Sequence, residues 1–127
     1  LEIGTGTGYQ AALLSYLCKH VFTIEIFQKL IDQAKRNHAK LKLRNISYLL
    51  GNGINGWNKK IQFDSIIISA AVKHFPIKLI KYLKIEGKII FPKIYSSTTQ
   101  KLVLLKKLNI TDYSTKELFD VKFVPLL

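Results

Sequence analysis

The sequence predicts an α/β fold, an open twisted sheet that is mostly parallel and has antiparallel strands at its carboxyl-terminal edge. Three observations support this fold. Strand-like and helix-like segments alternate over the first two-thirds of the chain, an order typical of a parallel sheet with helices on its faces. A glycine-rich turn separates the first strand from the first helix. Beyond Pro92 two strand-like runs follow each other without a long helix between them, which predicts an antiparallel pair.

The first half of the chain predicts a strand, a helix, a strand, a helix and a third strand. Leu1, Glu2 and Ile3 look like the end of a buried strand. Apolar residues at helical spacing predict helices over 9–19 and 28–41, and β-branched runs predict strands over 21–26 and 46–50. The apolar stripe of the first helix comprises Ala12, Leu13, Tyr16 and Leu17, and that of the second comprises Leu30, Ile31, Ala34, His38 and Leu41.

The second half predicts strands over 63–71, 88–91, 101–105 and 117–124, with a helix that begins at Pro76. The last two strands are the expected antiparallel pair, joined by the polar stretch 109–116. The chain has 127 residues, of which 48% are hydrophobic, close to the commonest domain size. We therefore expect a single domain over 1–127.

Composition excludes several classes of protein. The longest strongly apolar stretch, 65–72, is too short to cross a bilayer, so we expect no membrane partner. Cys18 is the only cysteine, which excludes an intrachain disulfide and a cysteine-based metal cluster and fits a reducing, cytoplasmic compartment. We expect Cys18 to pack as a small apolar residue and the protein to be a monomer.

The formal net charge of +12 raises the hypothesis of a nucleic-acid partner, because clustered lysines neutralise phosphates. The lysines are instead scattered through predicted helices, strands and loops, with doublets at 59–60 and 106–107 but no long run. A general enrichment in lysine across the whole chain explains the positive charge better than a binding face does. Nucleic acid is therefore not the favoured partner.

Glycines at positions 4, 6 and 8 form a turn between the first strand and the first helix. Without β-carbons a ligand can approach the backbone closely, so this turn is the expected ligand site of a Rossmann-like sheet. Dinucleotide binders usually have G-x-G-x-x-G, but Tyr9 occupies the position of the third glycine. The pattern G-x-G-x-G favours a methyltransferase, although a glycine turn alone is weak evidence.

Two further elements follow the next two strands. Glu25 ends the second strand, about 20 residues after the turn, where such domains place an acid for ribose hydroxyls. A solvated acid at a strand end is the alternative, but an unpaired charge within the apolar run VFTIEIF would be costly. Gly51, Asn52 and Gly53 follow the third strand, where Asn52 could accept a hydrogen bond from adenine. An ordinary Asn-Gly turn would also account for these residues.

In this order and spacing the chain resembles the protein-L-isoaspartate O-methyltransferase family over nearly its whole length. The resemblance rests on the segments LEIGTGTGYQ, TIEI, GNG with Gly56 and Trp57, FDSIIISAA, and the closing FVPL. It implies an S-adenosylmethionine-dependent enzyme that methylates the carboxylate of isoaspartyl residues in damaged proteins. The segments GTGTGYQ and FVPL are the more specific parts.

The resemblance also implies roles for individual residues. Gly4, Thr5, Gly6 and Thr7 would line the methionine and ribose parts of the cofactor, and Glu25 would hold the ribose. Asn52 and Gly53 would face the adenine, although the family normally has aspartate in place of Asn52. The backbone of Val124 would help to hold the substrate.

The residues do not predict a catalytic triad or a metal site, and no catalytic residue is assigned. The family's active-site hydroxyl lies upstream of the glycine turn. Because the chain has no methionine and opens at the end of a strand, we expect an amino-terminal truncation. Two alternatives stay open: a methyltransferase for nucleic acid or a small molecule, and a non-catalytic remnant.

Overall fold

A computed structural model describes all residues, 1–127. The chain divides into two compact units, Leu1–Gly53 and Ile54–Leu127. The α/β class is confirmed, as are the mostly parallel strands and the antiparallel strands near the carboxyl terminus. No helix is long and apolar enough to span a membrane.

The first unit consists of three parallel strands and two helices. The strands are β1 (Glu2–Ile3), β2 (Val21–Glu25) and β3 (Ile46–Leu50), and the helices are α1 (Tyr9–Leu17) and α2 (Gln28–Lys40). β2 pairs with β1 on one side and with β3 on the other. Because Ile3 pairs with Ile24, and Ile24 with Leu49, the three strands end at the same edge.

Helix α1 differs from its predicted stripe. It buries the small residues Ala11, Ala12 and Ser15, whereas Leu13, Tyr16 and Leu17 are exposed. The buried face of α1 is therefore formed by small residues, and the larger apolar side chains lie outside it. Cys18, which follows the helix, is also exposed, so the expectation that it packs in the interior is wrong.

Helix α2 follows its predicted pattern more closely. Ile31, Ala34 and His38 are buried at helical spacing. Leu41 lies just beyond the last helical residue and is exposed, so the predicted stripe is one residue too long. Lys42 follows with a positive φ of 56°, which ends the helix.

The second unit has four strands: β4 (Phe63–Ile68), β5 (Leu83–Ile94), β6 (Gln100–Lys107) and β7 (Tyr113–Asp120). β4 and β5 are parallel, and β5, β6 and β7 are successive antiparallel neighbours. The buried side chains of Ile66, Ile89 and Leu105 fill the interior of this sheet. Short 3-10 helices lie at Gly53–Asn55 and Ile77–Tyr82.

Three predicted elements of this half need correction. Pro76 precedes a 3-10 helix, Ile77–Tyr82, and not an α-helix. The strand predicted over 88–91 is longer, Leu83–Ile94, and contains a bulge at Glu86 and Gly87, since Phe63 pairs with Leu83 while Ser65 already pairs with Lys88. The last strand lies four residues earlier than predicted, at Tyr113–Asp120.

Candidate functional site

The glycine turn lies across the end of strand β2. The N–H groups of Gly4 and Thr5 both donate to the Ile24 carbonyl, at 2.9 and 3.2 Å. Gly4, Gly6 and Gly8 have φ values of 95°, 54° and 89°, a region in which a β-carbon is strained. The chain needs glycine to reverse direction between β1 and α1 while keeping its N–H groups directed at β2.

Glu25 joins this turn through its side chain, which is 7% exposed. One carboxylate oxygen accepts the Gly6 N–H at 2.9 Å. The other accepts the N–H groups of Ile26 at 2.9 Å and Phe27 at 3.2 Å. These bonds compensate the carboxylate for its burial and fix its orientation. A carboxylate has about four acceptor positions, so it retains about one for a ligand hydroxyl.

The third loop is tied to the same residue. Gly51 donates its N–H to the Glu25 carbonyl at 2.9 Å, while the Glu25 side chain accepts from Gly6. The loops around Gly6, Glu25 and Asn52 therefore meet at the carboxyl edge of the three parallel strands. This convergence brings the expected ligand turn beside Glu25 and the third loop.

The glycines of the three loops differ in what surrounds them. A β-carbon built at Gly6 or Gly51 would meet no atom within 4 Å. At Gly53 it would lie 2.1 Å from Cγ2 of Ile3, and at Gly8 it would lie 2.5 Å from Nε2 of His38. Gly53 and Gly8 are thus required by packing, whereas Gly6 and Gly51 border open space. That open space is where a ligand could contact the backbone.

Two of the predicted site residues make hydrogen bonds within the protein. Thr5 is buried, and its hydroxyl lies 2.6 Å from Oγ1 of Thr23, so it can line a ligand only through its backbone. Thr7 is exposed, and its carbonyl accepts a hydrogen bond from the Asn37 amide at 3.0 Å. The sequence pattern identified the turn but not these hydrogen bonds.

Sequence reasoning missed Glu2, which is fully buried beneath the turn. Thr23 donates its hydroxyl to Oε2 of Glu2 at 2.6 Å, and Oε1 has no partner. Burial raises the pKa of Glu2 to about 7, an effect opposed by the Thr23 hydrogen bond and the amino terminus and assisted by the charge of Glu25. An acid between Leu1 and Ile3, in the middle of an apolar strand, was the signal that could have revealed it.

Val124 belongs to the second unit. Its side chain is exposed, and its carbonyl accepts the Ala71 N–H at 2.7 Å. Leu126 donates to the Ala71 carbonyl at 2.8 Å, so the closing FVPL segment runs parallel to the chain just beyond β4. The predicted strand over 117–124 therefore ends before this segment.

The fold and the convergence of a glycine turn, a ribose-type acid and a third loop define an α/β domain of the kind that binds a nucleoside-containing cofactor. Comparison with known proteins shows which family within this class the chain matches. The family model described as protein-L-isoaspartate(D-aspartate) O-methyltransferase matches residues 1–127. The chain belongs to this family.

Relatives and solved structures agree with this assignment. The chain is 44% identical to protein-L-isoaspartate O-methyltransferase 2 of Shewanella sediminis, over 99% of this chain and 51% of that protein. It is 40% identical to the protein of the same name from Polaromonas sp., over 99% of this chain and 60% of that one. The chain thus spans about half to three-fifths of these relatives.

Among solved structures, a protein-L-isoaspartate O-methyltransferase superposes with a TM-score of 0.88 at 29% identity, over 98% of this chain and 40% of that one. A putative protein-L-isoaspartate O-methyltransferase from Plasmodium falciparum, in complex with S-adenosyl-L-homocysteine, gives a TM-score of 0.82 at 25% identity. This match covers 99% of the chain and 64% of the other. An rRNA methylase from Streptococcus thermophilus, at 15% identity and a TM-score of 0.68, shares the fold alone.

Proposed function

We propose that this chain binds S-adenosylmethionine and transfers its methyl group to the carboxylate of L-isoaspartyl residues in damaged proteins. The observation that carries the proposal is the pair of hydrogen bonds at Glu25, from Gly6 to the carboxylate and from Gly51 to the carbonyl, each 2.9 Å long. We infer that the open space beside Gly6 and Gly51, next to these bonds, is a crevice that accepts a nucleoside. The family membership supports the substrate.

The residues at this edge fit the cofactor. The backbone of Gly4, Thr5, Gly6 and Thr7 faces its methionine and ribose parts. Glu25 would accept a hydrogen bond from a ribose hydroxyl at its remaining acceptor position. Asn52 accepts from the adenine amino group, while Gly51 and Gly53 let the base approach the backbone.

Asn52 replaces the aspartate usual in the family. Its amide oxygen accepts the same hydrogen bond without a negative charge, and a hydrogen bond to an ionised acceptor is roughly twice as strong as a neutral one. Adenine recognition is therefore retained with a lower affinity.

The chemistry makes few demands on side chains. When bound, the cofactor supplies a methyl group on a sulfonium, which is electrophilic. A carboxylate is already ionised at neutral pH, so no general base is needed, and the protein contributes by aligning the oxygen with the methyl carbon. Val124, through its backbone, helps to hold the isoaspartyl group.

We further propose that residues 1–127 act as one S-adenosylmethionine-binding domain of a cytoplasmic monomer. The single cysteine, Cys18, supports a reducing compartment because it is exposed and unpaired. Light scattering of the purified chain tests whether it is a monomer.

The proposed activity predicts methyl transfer to an isoaspartyl peptide by the 127-residue chain. Labelled S-adenosylmethionine is offered with that peptide, with the same peptide carrying aspartate, and with RNA and DNA. We expect label only on the isoaspartyl peptide, as an alkali-labile ester, and at least a tenfold lower kcat/KM for Glu25→Gln. Label on RNA or DNA would support the alternative enzyme class. Cofactor binding without transfer to any acceptor would indicate a non-catalytic remnant.

A further inference from the structure

The imidazole of His38 connects helix α2 to the glycine turn. It is 2% exposed, and its two nitrogens have different partners. Nε2 lies 2.6 Å from the Gly8 carbonyl, and Nδ1 lies 2.5 Å from the Tyr48 hydroxyl on strand β3. A buried imidazole is costly unless both nitrogens are satisfied, and here both are.

These partners fix the proton on the ring. A carbonyl can only accept, so Nε2 carries the hydrogen and Nδ1 accepts from the phenol of Tyr48. Burial raises the pKa of Tyr48, which keeps its hydroxyl protonated and able to donate. The rings of His38 and Tyr48 are also stacked, with centroids 5.8 Å apart. The hydrogen bonds therefore run in one direction, from Tyr48 through His38 to Gly8.

The Gly8 carbonyl, which accepts this bond, lies where the turn joins helix α1. Gly8 has a φ of 89° and also accepts the first helical hydrogen bond of α1, from Ala12 at 3.0 Å. The next residue of α2 toward its amino end, Asn37, donates to the carbonyl of Thr7 at 3.0 Å. Helix α2 thus holds two consecutive carbonyls of the turn, while the Gly6 N–H donates to Glu25.

We propose that His38, supported by Tyr48, is a positioning residue for the cofactor turn. Its imidazole lies against Gly8, whereas a β-carbon at Gly6 or Gly51 would meet no atom within 4 Å. The imidazole fixes the peptide between Gly8 and Tyr9 and so the direction of the N–H groups before it. The inference rests on the proposed cofactor binding. It adds that affinity depends on one donor, the N–H at Nε2, buried behind the turn.

Three variants of the 127-residue chain separate this role from simple packing. His38→Gln places an amide N–H near the position of Nε2, His38→Asn reaches only the position of Nδ1, and His38→Leu has no donor. We expect His38→Leu and His38→Asn to bind S-adenosylhomocysteine about tenfold more weakly in calorimetric titration, a change of about 1.4 kcal/mol. His38→Gln is expected to stay within about threefold of the unaltered chain, a change of about 0.7 kcal/mol.

Amide hydrogen exchange without ligand provides a second readout. We expect faster exchange at Gly6 and Gly8 in His38→Leu than in His38→Gln, because the Gly6 amide donates to Glu25 and the Gly8 amide donates to the Thr5 carbonyl. Equal exchange in these variants would overturn the role of His38, whether or not the unaltered chain binds ligand. Failure of the unaltered chain to bind ligand would refute only the proposed function. Equal affinities of the Leu and Gln variants would overturn the role of His38 as well. Tyr48→Phe, which removes only the supporting hydroxyl, is expected to fall between Gln and Leu in both measurements.

Discussion

Among single residues, Glu2 has the environment with the clearest consequence for stability. Its carboxyl is fully buried, and one of its oxygens has no hydrogen-bond partner. Burial raises its pKa from 4.5 to about 7. The folded chain therefore holds a proton that the unfolded chain releases between these two values, and this proton uptake stabilises the fold at low pH. The stabilisation is lost as the pH rises through the folded pKa.

The direction of this pH dependence gives a prediction for the variant Glu2→Gln. Glutamine can still accept from Thr23, but it cannot ionise, so the variant lacks this pH dependence. Relative to Glu2→Gln, the free energy of unfolding of the unaltered chain should fall by about 3 kcal/mol between pH 4.5 and pH 7.5. Urea unfolding of both proteins across this range measures the difference. Parallel pH profiles would show that Glu2 is not buried as described.

Glu25 shows how one residue connects sequence, fold and site. Its spacing from the glycine turn and its apolar surroundings were enough to predict its position. Its three backbone hydrogen bonds were not predictable, because they depend on how far each loop curls back over the strand end. For the same reason the sequence did not show that the Thr5 hydroxyl turns toward Thr23.

Among the elements, the second 3-10 helix depends on a buried lysine. Lys107, at the end of β6, is 7% exposed and donates to the carbonyls of Ile80 and Leu83 at 3.1 and 2.8 Å. These carbonyls end the 3-10 helix and begin β5. The ammonium group therefore supplies a donor to the Leu83 carbonyl and a second donor to the Ile80 carbonyl, which also accepts the Leu83 N–H.

Replacement of this lysine tests its role in the fold. We expect Lys107→Met to lower the free energy of unfolding by about 2 kcal/mol, because two charge-assisted hydrogen bonds are lost. The neighbouring Lys106→Met is the matched control, since Lys106 pairs with Glu86 at the surface. Exposed pairs contribute about 0 to 1 kcal/mol. Equal losses of unfolding free energy in the two variants, measured by urea unfolding, would contradict the proposed role of Lys107.

The elements also differ in how far the sequence predicted them. Helix α2 and strand β3 were predicted to within a residue. In α2 the buried residues Ile31, Ala34 and His38 follow the predicted apolar spacing, and β3 was marked by its run of strand-forming residues before Gly51. Strand β7 was misplaced because all eight of its residues are exposed, so no alternation of hydrophobicity marks it. The segment after Pro76 was predicted as an α-helix because its apolar spacing fits one, whereas only six residues separate Pro76 from β5.

At the scale of the whole molecule, the salt bridges lie in the second unit, whereas the predicted cofactor residues lie in the first. The three salt bridges are Lys84–Asp64, Lys101–Glu117 and Lys106–Glu86, all in the second unit. With a net charge of +12, most lysines therefore lack a carboxylate partner. The predicted cofactor residues all lie in the first unit, Leu1–Gly53, and Val124 lies in the second. Cofactor binding can thus be tested by changes confined to the first unit.

The central claim is that the crevice beside Gly6, Glu25 and Gly51 holds the nucleoside. Gly51→Ala tests it most directly, because φ at Gly51 is not positive and its β-carbon would meet no atom within 4 Å. The added methyl group is therefore expected to leave the urea midpoint unchanged. Titration with S-adenosylhomocysteine should show at least about tenfold weaker binding for Gly51→Ala than for the unaltered chain, or about 1.4 kcal/mol. Equal affinity of the two proteins would contradict the account.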